Sequence, residues 1–249
     1  MKISIITVVY NGEAFLKDCI ASVLAQDYPD VEYIVVDGGS KDATLSIIEA
    51  HRSQIHQFTS GKDQGLYDAI NKGIKMATGD VIGLIHADDM LAADDVISQV
   101  AKLFNENPDA DGLYGDLNYI HPENRRIIRK WISKESTPDH MKQGWMPAHP
   151  TLYLKRSLFE QYGGYALDMG SAADYDLILR FFFTHRIQAK YLPILMVNMR
   201  TGGVSNQSLK SRYDAFKNDY KALRRNKIPS PLFVVLNKKF GKLTQFFKR

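Results

Sequence analysis

Short apolar runs rich in β-branched residues alternate with helical patterns through the first hundred or so residues. The runs are ISIITVVY, VEYIVVD, IHQFTS and DVIGLIHADD, and the helical patterns cover about residues 13–26, 42–51 and 66–77. Nearly continuous apolar strands separated by helices are typical of a parallel sheet that is covered on both faces. The sequence therefore predicts an α/β fold whose first half, residues 1–109, is Rossmann-like.

Polar residues follow three of these strands at their carboxyl ends. The first strand runs into YNG at 10–12, the second into DGGS at 37–40 and the fourth into HADD at 86–89. Ligands of open α/β sheets bind beyond the carboxyl ends of the strands. These three segments are therefore predicted to line one crevice.

Length and composition indicate an ordinary globular enzyme in a reducing compartment. The 249 residues are 45% hydrophobic and 24% charged, which is enough for one substantial core. No apolar run reaches the roughly 20 residues of a membrane span, and MKISIITVVYNG is too short and too poor in charge for a signal peptide. The single cysteine, Cys19, lies in the apolar pattern of a helix and is interpreted as a buried filler. A cytoplasmic location is expected.

The second half of the chain changes its pattern after residue 110. Strand-like DGLYGDLNYI and RRIIRKWI are followed by WMPAHPTLYLKRS and by a helix over ADYDLILRFFF. No second nucleotide-binding pattern occurs there. We therefore interpret residues 110–205 as the acceptor half of one catalytic domain, 1–205.

Residues 206–249 are predicted to form a basic, amphipathic helical tail. Residues 205–249 contain 12 Lys or Arg and only two acids. In the last helical pattern, apolar residues recur every three or four positions, at Leu232, Leu236, Phe240, Leu243 and Phe247. Such a helix can lie on an anionic membrane surface at the inner face of the plasma membrane. The alternative is that its apolar stripe packs on the domain or forms a dimer. The body shows no nucleic-acid module.

Two acids at the end of an apolar strand, Asp88 and Asp89, repel each other unless a cation binds between them. Magnesium and manganese prefer oxygen ligands and bridge carboxylates to substrate phosphates. A turn or a helix cap is the alternative for this pair.

Asp37 can accept hydrogen bonds from a ribose hydroxyl or a base N–H, or it can form an Asx turn with Ser40.

Several motifs together resemble those of family 2 glycosyltransferases. They are SIITVVYNGEAFLKDCIASVLAQDY, VEYIVVDGGSKDAT, GKDQGLYDAINKGIKMATGDVIGLIHADD and AHPTLYLKRSLFEQYGGY, in that order. The resemblance covers roughly residues 1–205. Within the family, the chain is similar to the bacterial branch that builds O-antigen, capsule and colanic-acid-like exopolysaccharides. It implies a GT-A fold, an inverting mechanism and a nucleotide diphosphate sugar donor.

The resemblance also implies roles for individual residues. Asp37 matches the nucleoside-binding aspartate, and Asp88 and Asp89 fall on the metal-binding element for Mg²⁺ or Mn²⁺, although His86 replaces its first acid. Ile70 stands where many members have an Arg before the Asn matched by Asn71. The donor-binding positions implied are Val9, Asn11, Asp37, Gly38, Asp63, Asn71, His86, Ala87, Asp88 and Arg200.

Asp174 matches the general base of the family, with Ala173 where a Glu is usual. An inverting transfer needs one base to take the proton of the acceptor hydroxyl. From the residues alone, a helix-capping acid is an equal alternative. His149 resembles a position near the acceptor and the metal, and Arg200 beside Gly202 and Gly203 can place a cation on the diphosphate or be an ordinary exposed arginine.

The predicted function is transfer of a sugar from a nucleotide diphosphate sugar to a glycan acceptor, lipid-linked, in cell-surface polysaccharide biosynthesis. One alternative is a sugar-nucleotide nucleotidyltransferase, although VVYNGEAF stands where such enzymes have a Gly-rich loop with Arg and Lys. The other is a nucleotide-sugar-binding module that has lost catalysis, motivated by Ala173 and His86.

Overall fold

The computed structural model describes residues 1–202 and 209–244, with only the backbone described at 138, 209, 210, 212 and 239–244. Its first half contains four parallel strands in the order β3-β2-β1-β4. The strands are β1 (Ile3–Val9), β2 (Val31–Asp37), β3 (Gln57–Ser60) and β4 (Val81–Leu84). The helices of this half are α1 (Leu16–Leu24), α2 (Thr44–Ala50) and α3 (Leu66–Met76). The predicted alternation of strands and helices is confirmed.

The second half extends the same sheet in a mixed arrangement, so that the full order is β3-β2-β1-β4-β8-β6-β9-β5, with β7 paired to β6. The remaining strands are β5 (Met90–Leu91), which still belongs to the first half, and β6 (Gly112–Ile120), β7 (Ile127–Trp131), β8 (Tyr153–Lys155) and β9 (Ala189–Arg200). The remaining helices are α4 (Val96–Glu106) in the first half, α5 (Pro138–Lys142), α6 (Arg156–Tyr162) and α7 (Ala173–Ile178) in the second half, and α8 (Leu209–Arg225) and α9 (Pro231–Thr244) in the predicted tail. The helix predicted over ADYDLILRFFF is α7 continued by a π-helical turn, Leu179–Thr184.

Strand β4 is shorter than its apolar pattern predicts. The strand ends at Leu84, and the chain then turns so that the backbone N–H of Asp89 donates to the carbonyl of His86 at 2.9 Å. The acid pair therefore lies on a turn beyond the strand.

The pairing of β8 with β4 joins the two halves. Tyr153 lies opposite Gly83 in an antiparallel register. Because the strands run in opposite directions, the start of β8 lies beside the end of β4. The segment before β8, which contains His149, is thereby placed next to the turn after β4.

Both faces of the sheet are covered, as near-continuous apolar strands require. Side chains of β1 alternate between two cores, with Ile6 and Val8 in one and Ile3 and Ile5 in the other. Helices α8 and α9 contribute to the first core through Ala222, Leu223, Ile228, Val234 and Val235. The described part of the predicted tail therefore belongs to the folded body.

Cys19 is buried in the second core. Burial raises the pKa of its thiol to about 12, so the thiol stays protonated and unreactive near neutral pH. Over residues 1–202 and 209–244, no helix combines the length and the apolar character that crossing a membrane requires.

A buried carboxylate, Glu32, holds together the amino ends of the central strands. It accepts hydrogen bonds from Ser4 Oγ at 2.5 Å, Thr78 N at 2.8 Å and Gln57 Nε2 at 3.0 Å, and it pairs with Lys2 Nζ at 3.2 Å. Burial by itself raises the pKa of Glu32, but these hydrogen bonds outweigh it and lower the pKa from its ordinary 4.5 to about 2. The folded state therefore favours the ionised form.

This shift predicts a pH dependence of stability. The contribution of Glu32 is fully present above about pH 5 and is lost as the pH falls towards 2, because the unfolded chain takes up the proton first. The lowered pKa corresponds to about 3 kcal/mol. Urea unfolding should show that Glu32→Gln lowers the free energy of unfolding at pH 7 and flattens its decline between pH 5 and 3. Glu49→Gln, at an exposed position on α2, is the control. Equal slopes for the two variants would contradict the assignment.

Candidate active site

The loops after β1, β2 and β4 meet at the carboxyl edge of the sheet. The backbone N–H of Gly38 donates to the carbonyl of Val9 at 2.9 Å. A Cβ placed on Gly12 would lie 3.7 Å from the Cβ of Ala87, so the first loop also touches the turn after β4. The three polar segments predicted to share a crevice lie together.

Asn11 ties the first of these loops to the second. It adopts a φ of 49°, a conformation that Asn tolerates better than most residues. Its N–H donates to Ser40 Oγ at 2.8 Å, and its Oδ1 accepts from the N–H of Lys41 at 2.9 Å. Gly38 lies directly against Asp63, whose Oδ2 is 2.5 Å from the position of a Cβ on Gly38. Four predicted donor-binding residues, Val9, Asn11, Gly38 and Asp63, are thus neighbours.

The carboxylate of Asp37 is engaged by its own loop. It accepts hydrogen bonds from the backbone of Gly39 at 3.0 Å and of Ser40 at 3.1 Å, and from Ser60 Oγ at 2.6 Å. This is the Asx turn that the sequence offered as the alternative. Asp37 therefore shapes the crevice wall by holding the 38–40 backbone in place.

Asp88 and Asp89 have different surroundings. Asp89 is buried, and its carboxylate accepts the backbone N–H of Arg200 at 3.0 Å. Burial and the charge of Asp88 raise the pKa of Asp89 well above its usual value, against the opposing effect of Arg200. Asp88 is partly exposed, and none of the described residues donates a hydrogen bond to its carboxylate. A cation entering from the crevice meets Asp88 first.

Arg200, at the end of β9, has its guanidinium committed to protein groups and is only 4% exposed. The guanidinium donates to the carbonyl of Asp88 at 2.8 Å, pairs with Asp18 at 2.5 Å and lies over the ring of Phe15. These contacts support the acid turn, and a contact of Arg200 with a diphosphate stays a prediction. Gly202 is described, whereas Gly203 lies outside the described residues.

Asn71 has a similar supporting role. Its Nδ2 donates to the carbonyl of Tyr165 at 2.8 Å, and its Oδ1 accepts from the N–H of Tyr165 at 2.8 Å. Both ends of the amide are thus used to fasten α3 to the segment that leads to Asp174. A contact of Asn71 with the donor stays a prediction.

Asp174, at the start of α7, lies against two histidines. His149 Nδ1 is 3.2 Å from Asp174 Oδ2, and the rings of His149 and His86 are 6.2 Å apart between centroids. Burial and neighbouring His149 lower the pKa of His86, while Asp88 and Asp174 act in the opposite direction. The proposed base and the turn that carries Asp88 are therefore on the two sides of one cleft.

A small cavity of about 30 Å³ marks the floor of this cleft. Its lining comes from both halves of the chain: Leu66, Tyr67, Ile70, Leu84, His86, His149, Tyr165 and Asp174. Tyr67 and Tyr165 stack with centroids 5.5 Å apart. Burial raises the pKa of Tyr67, and the carboxylate of Asp174 raises it further.

Sequence reasoning did not single out Tyr67 and Tyr165. Both lie inside motifs that carry the resemblance, LYDAINKG and EQYGGY, and this position is the signal in the sequence that could have pointed to them.

Asp176 is buried and accepts a hydrogen bond from Asn226 Nδ2 at 3.0 Å, so it joins α7 to the end of α8. Met141 and Met146 are buried in the first core.

The described residues contain no group of three or more His, Cys, Asp or Glu side chains placed to hold a metal ion by themselves. Asp88 carries a partly exposed carboxylate on the turn after β4. Magnesium and manganese commonly take one or two protein carboxylates and complete their shell with substrate phosphates and water.

Comparisons with known proteins identify the family and the fold. The family profile described as Glycosyl transferase family 2 matches residues 4–165. A PGL/p-HBAD biosynthesis glycosyltransferase of Mycobacterium tuberculosis is 32% identical over 210 residues, covering 82% of this chain and 78% of that protein. The O-antigen biosynthesis protein RfbC of Myxococcus xanthus is 31% identical over 183 residues, which are 72% of this chain and 14% of that protein.

Solved structures share the fold at low identity. S. aureus TarS 1-349 in complex with UDP has a TM-score of 0.70 at 20% identity, covering 90% of this chain and 65% of that one. The mannosyltransferase PcManGT from Pyrobaculum calidifontis, in complex with GDP-Man and Mn²⁺, has a TM-score of 0.66 at 17% identity, covering 98% and 70%. The mixed α/β sheet described above is the GT-A arrangement.

The support of the acid turn predicts a stability difference between two variants. Asp18 pairs with buried Arg200 and also with exposed Arg125 at 2.8 Å. Asp18→Asn leaves the buried guanidinium without its anionic partner and should lower the free energy of unfolding by about 1–3 kcal/mol. Arg125→Gln removes only an exposed pair and should cost less than about 1 kcal/mol. Denaturant unfolding of both variants checks this, and equal losses would contradict the supporting role of Arg200.

Proposed function

This chain belongs to glycosyltransferase family 2, and from that premise we propose that it is an inverting, metal-dependent glycosyltransferase of cell-surface polysaccharide biosynthesis. The donor is a nucleotide diphosphate sugar, and the acceptor is a glycan carried on a lipid, a polyprenyl diphosphate. Relatives named for PGL/p-HBAD and O-antigen biosynthesis support this setting. The location proposed is the cytoplasm, with peripheral contact at the inner face of the plasma membrane.

The observation that carries the proposal is that Asp174 lines the same cavity as His86, two residues before Asp88. A base on one side of the cleft and a phosphate-binding turn on the other are what an in-line displacement requires. Asp174 accepts the proton of the acceptor hydroxyl as its oxygen bonds to the anomeric carbon. The bond from that carbon to the donor's phosphate oxygen breaks on the opposite side, which inverts the configuration.

His149 supports the base in this scheme. Its Nδ1 lies 3.2 Å from Asp174 Oδ2, so the imidazole can orient the carboxylate. The Tyr67 phenol lies against the same carboxylate from the α3 side.

The nucleoside diphosphate is proposed to lie along the loops after β1 and β2. Val9, Asn11, Gly38 and Asp63 form the nearest wall, and the turn held by Asp37 sets the position of Gly38. Solved structures of the same fold that contain UDP or GDP-Man support a nucleotide sugar as donor.

Asp88 is the residue proposed to hold the cation, and Asp89 its structural support. When bound, Mg²⁺ or Mn²⁺ supplies a Lewis acid for the charge that builds on the departing phosphate. The carboxylate of Asp88 is partly exposed at the crevice, whereas that of Asp89 is buried against the backbone of Arg200. His86 and Ala87 complete the same turn beside the donor.

Replacement of the base provides the test of the function. Asp174→Asn should lower transfer by at least about 100-fold, because a general base contributes about 10²–10⁴-fold. Release of nucleoside diphosphate from a panel of uridine and guanosine diphosphate sugars, with Mn²⁺, measures transfer. Donor-induced thermal shifts should stay at the wild-type value. Asp168→Asn, an exposed acid paired with Lys221 and Arg225, is the matched control and should remain active.

Two other outcomes would overturn the proposal. Release of pyrophosphate by the wild type from a nucleoside triphosphate and a sugar 1-phosphate would identify a nucleotidyltransferase. Binding of a donor with no turnover on any acceptor fraction would identify a binding module.

The two acids of the turn should respond oppositely to truncation. Asp88→Ala should reduce Mn²⁺ affinity in the presence of UDP by at least about tenfold, while stability changes by less than about 0.5 kcal/mol. Asp89→Ala leaves the N–H of Arg200 unpaired and should cost about 1–3 kcal/mol of unfolding free energy. Calorimetric Mn²⁺ titration and denaturant unfolding measure the two quantities. Lost metal affinity with wild-type stability in Asp89→Ala would reverse the assignment.

A further inference from the structure

Helix α9 contacts the body of the protein through one face. Val234 and Val235 are fully buried in the first core. Lys238 Nζ pairs with Asp219 of α8 at 3.0 Å, and Asn237 Nδ2 donates to the carbonyl of Gln143 at 2.6 Å. The helix is therefore fixed in orientation about its own axis.

The opposite face of α9 is apolar and exposed. Leu232, Phe233 and Leu236 are 54%, 61% and 44% exposed. At about 100° per residue, these three side chains lie on the side of the helix away from Val234 and Lys238. Single exposed apolar residues are common on protein surfaces, but three within one turn form a patch that indicates an interaction site.

The two described members of the apolar stripe predicted from the sequence lie on this outward face. They are Leu232 and Leu236, and both are exposed. The remaining members, Phe240, Leu243 and Phe247, lie outside the described side chains. Among the described side chains of α9, the contacts with the domain are made by residues that the stripe does not include.

The charge of this region selects the kind of partner. Residues 205–249 contain 12 Lys or Arg and two acids, of which Asp219 is neutralised by Lys238. The basic side chains Arg224 and Lys227 are exposed just before α9. A second copy of this chain would bring two positive surfaces together, whereas an anionic lipid surface is complementary to one.

The docking of α9 also gives the patch a fixed place relative to the cleft. Gly144, with a φ of 82°, packs so closely on α9 that a Cβ there would lie 2.7 Å from the carbonyl oxygen of Val234. His149 follows Gly144 by five residues along the chain. A surface that holds α9 therefore also holds the segment leading to the acceptor side of the site.

We propose that the outward face of α9 is a membrane-docking surface that lies in the headgroup layer of an anionic bilayer. The helix lies in the plane of the interface, with its apolar side chains below the headgroups and the neighbouring basic residues on anionic lipid. The surface stands on the exposure, orientation and charge of α9. Its consequence, delivery of a lipid-carried acceptor to the cleft, rests on the proposed function.

Vesicle co-sedimentation of the full chain tests this surface. Phosphatidylcholine vesicles with about one third phosphatidylglycerol should bind the protein, pure phosphatidylcholine should bind it at least about tenfold more weakly, and salt should weaken binding. The triple variant Leu232→Ser, Phe233→Ser, Leu236→Ser should lose binding by at least about tenfold. The control variant carries Leu45→Ser, Ile127→Ser and Leu167→Ser, at similarly exposed positions elsewhere, and should bind like the wild type.

Two further measurements separate the possible failures. Vesicle binding by the α9 triple variant at the wild-type level would overturn the docking surface. If light scattering also showed that the molar mass of the triple variant differs from that of the wild type, the occupant of this surface would be a second copy of the chain. Thermal unfolding confirms that each variant folds. Release of nucleoside diphosphate with a detergent-solubilised acceptor should be unchanged in the triple variant. This release assay therefore tests the proposed function, and the vesicle-binding assay tests the docking surface.

Discussion

The antiparallel pairing of β8 with β4 is the contact on which the rest of the site depends. Gly83 lies opposite Tyr153, and a Cβ on Gly83 would lie 2.4 Å from the tyrosine ring, so only glycine lets the ring cover the strand. This pairing brings the chain before β8 to the carboxyl edge of the parallel strands. His149, and through it Asp174, can therefore face the turn after β4. Without this pairing, the chain before β8 would not be held beside the turn after β4.

Most charged and amide side chains near the crevice hold loops in place. Asp37 organises its own turn, Asp89 receives the backbone of Arg200, and Asn71 fastens Tyr165 to α3. Burial makes each of these groups costly to leave unpaired, so each fixes a local geometry strongly. On the proposed function, this division leaves the chemistry to Asp88 and Asp174 and the shape of the site to their neighbours.

The extent to which the sequence predicted this structure follows from the range of each interaction. The parallel strands, α3 and the convergence of the three strand ends were predictable because periodicity and strand-end position are local properties. The burial of Arg200 was not, because it depends on Asp18, which is far away in sequence and belongs to another element. The end of β4 at Leu84 was missed since the apolar pattern continues into the turn that Asp89 closes. The stacking of Tyr67 on Tyr165 depends on the Asn71 tether, which no pattern in either segment reveals.

That tether has a consequence for how such a protein can diversify. The amide of Asn71 on α3 holds the segment before Asp174 in place through hydrogen bonds to the backbone of Tyr165. These bonds do not involve the side chain of Tyr165. Substitutions at Tyr67 or Tyr165 can therefore reshape the cavity wall while the backbone before Asp174 keeps its place. Changes in two aromatic rings can alter the cavity without rebuilding the framework that surrounds them.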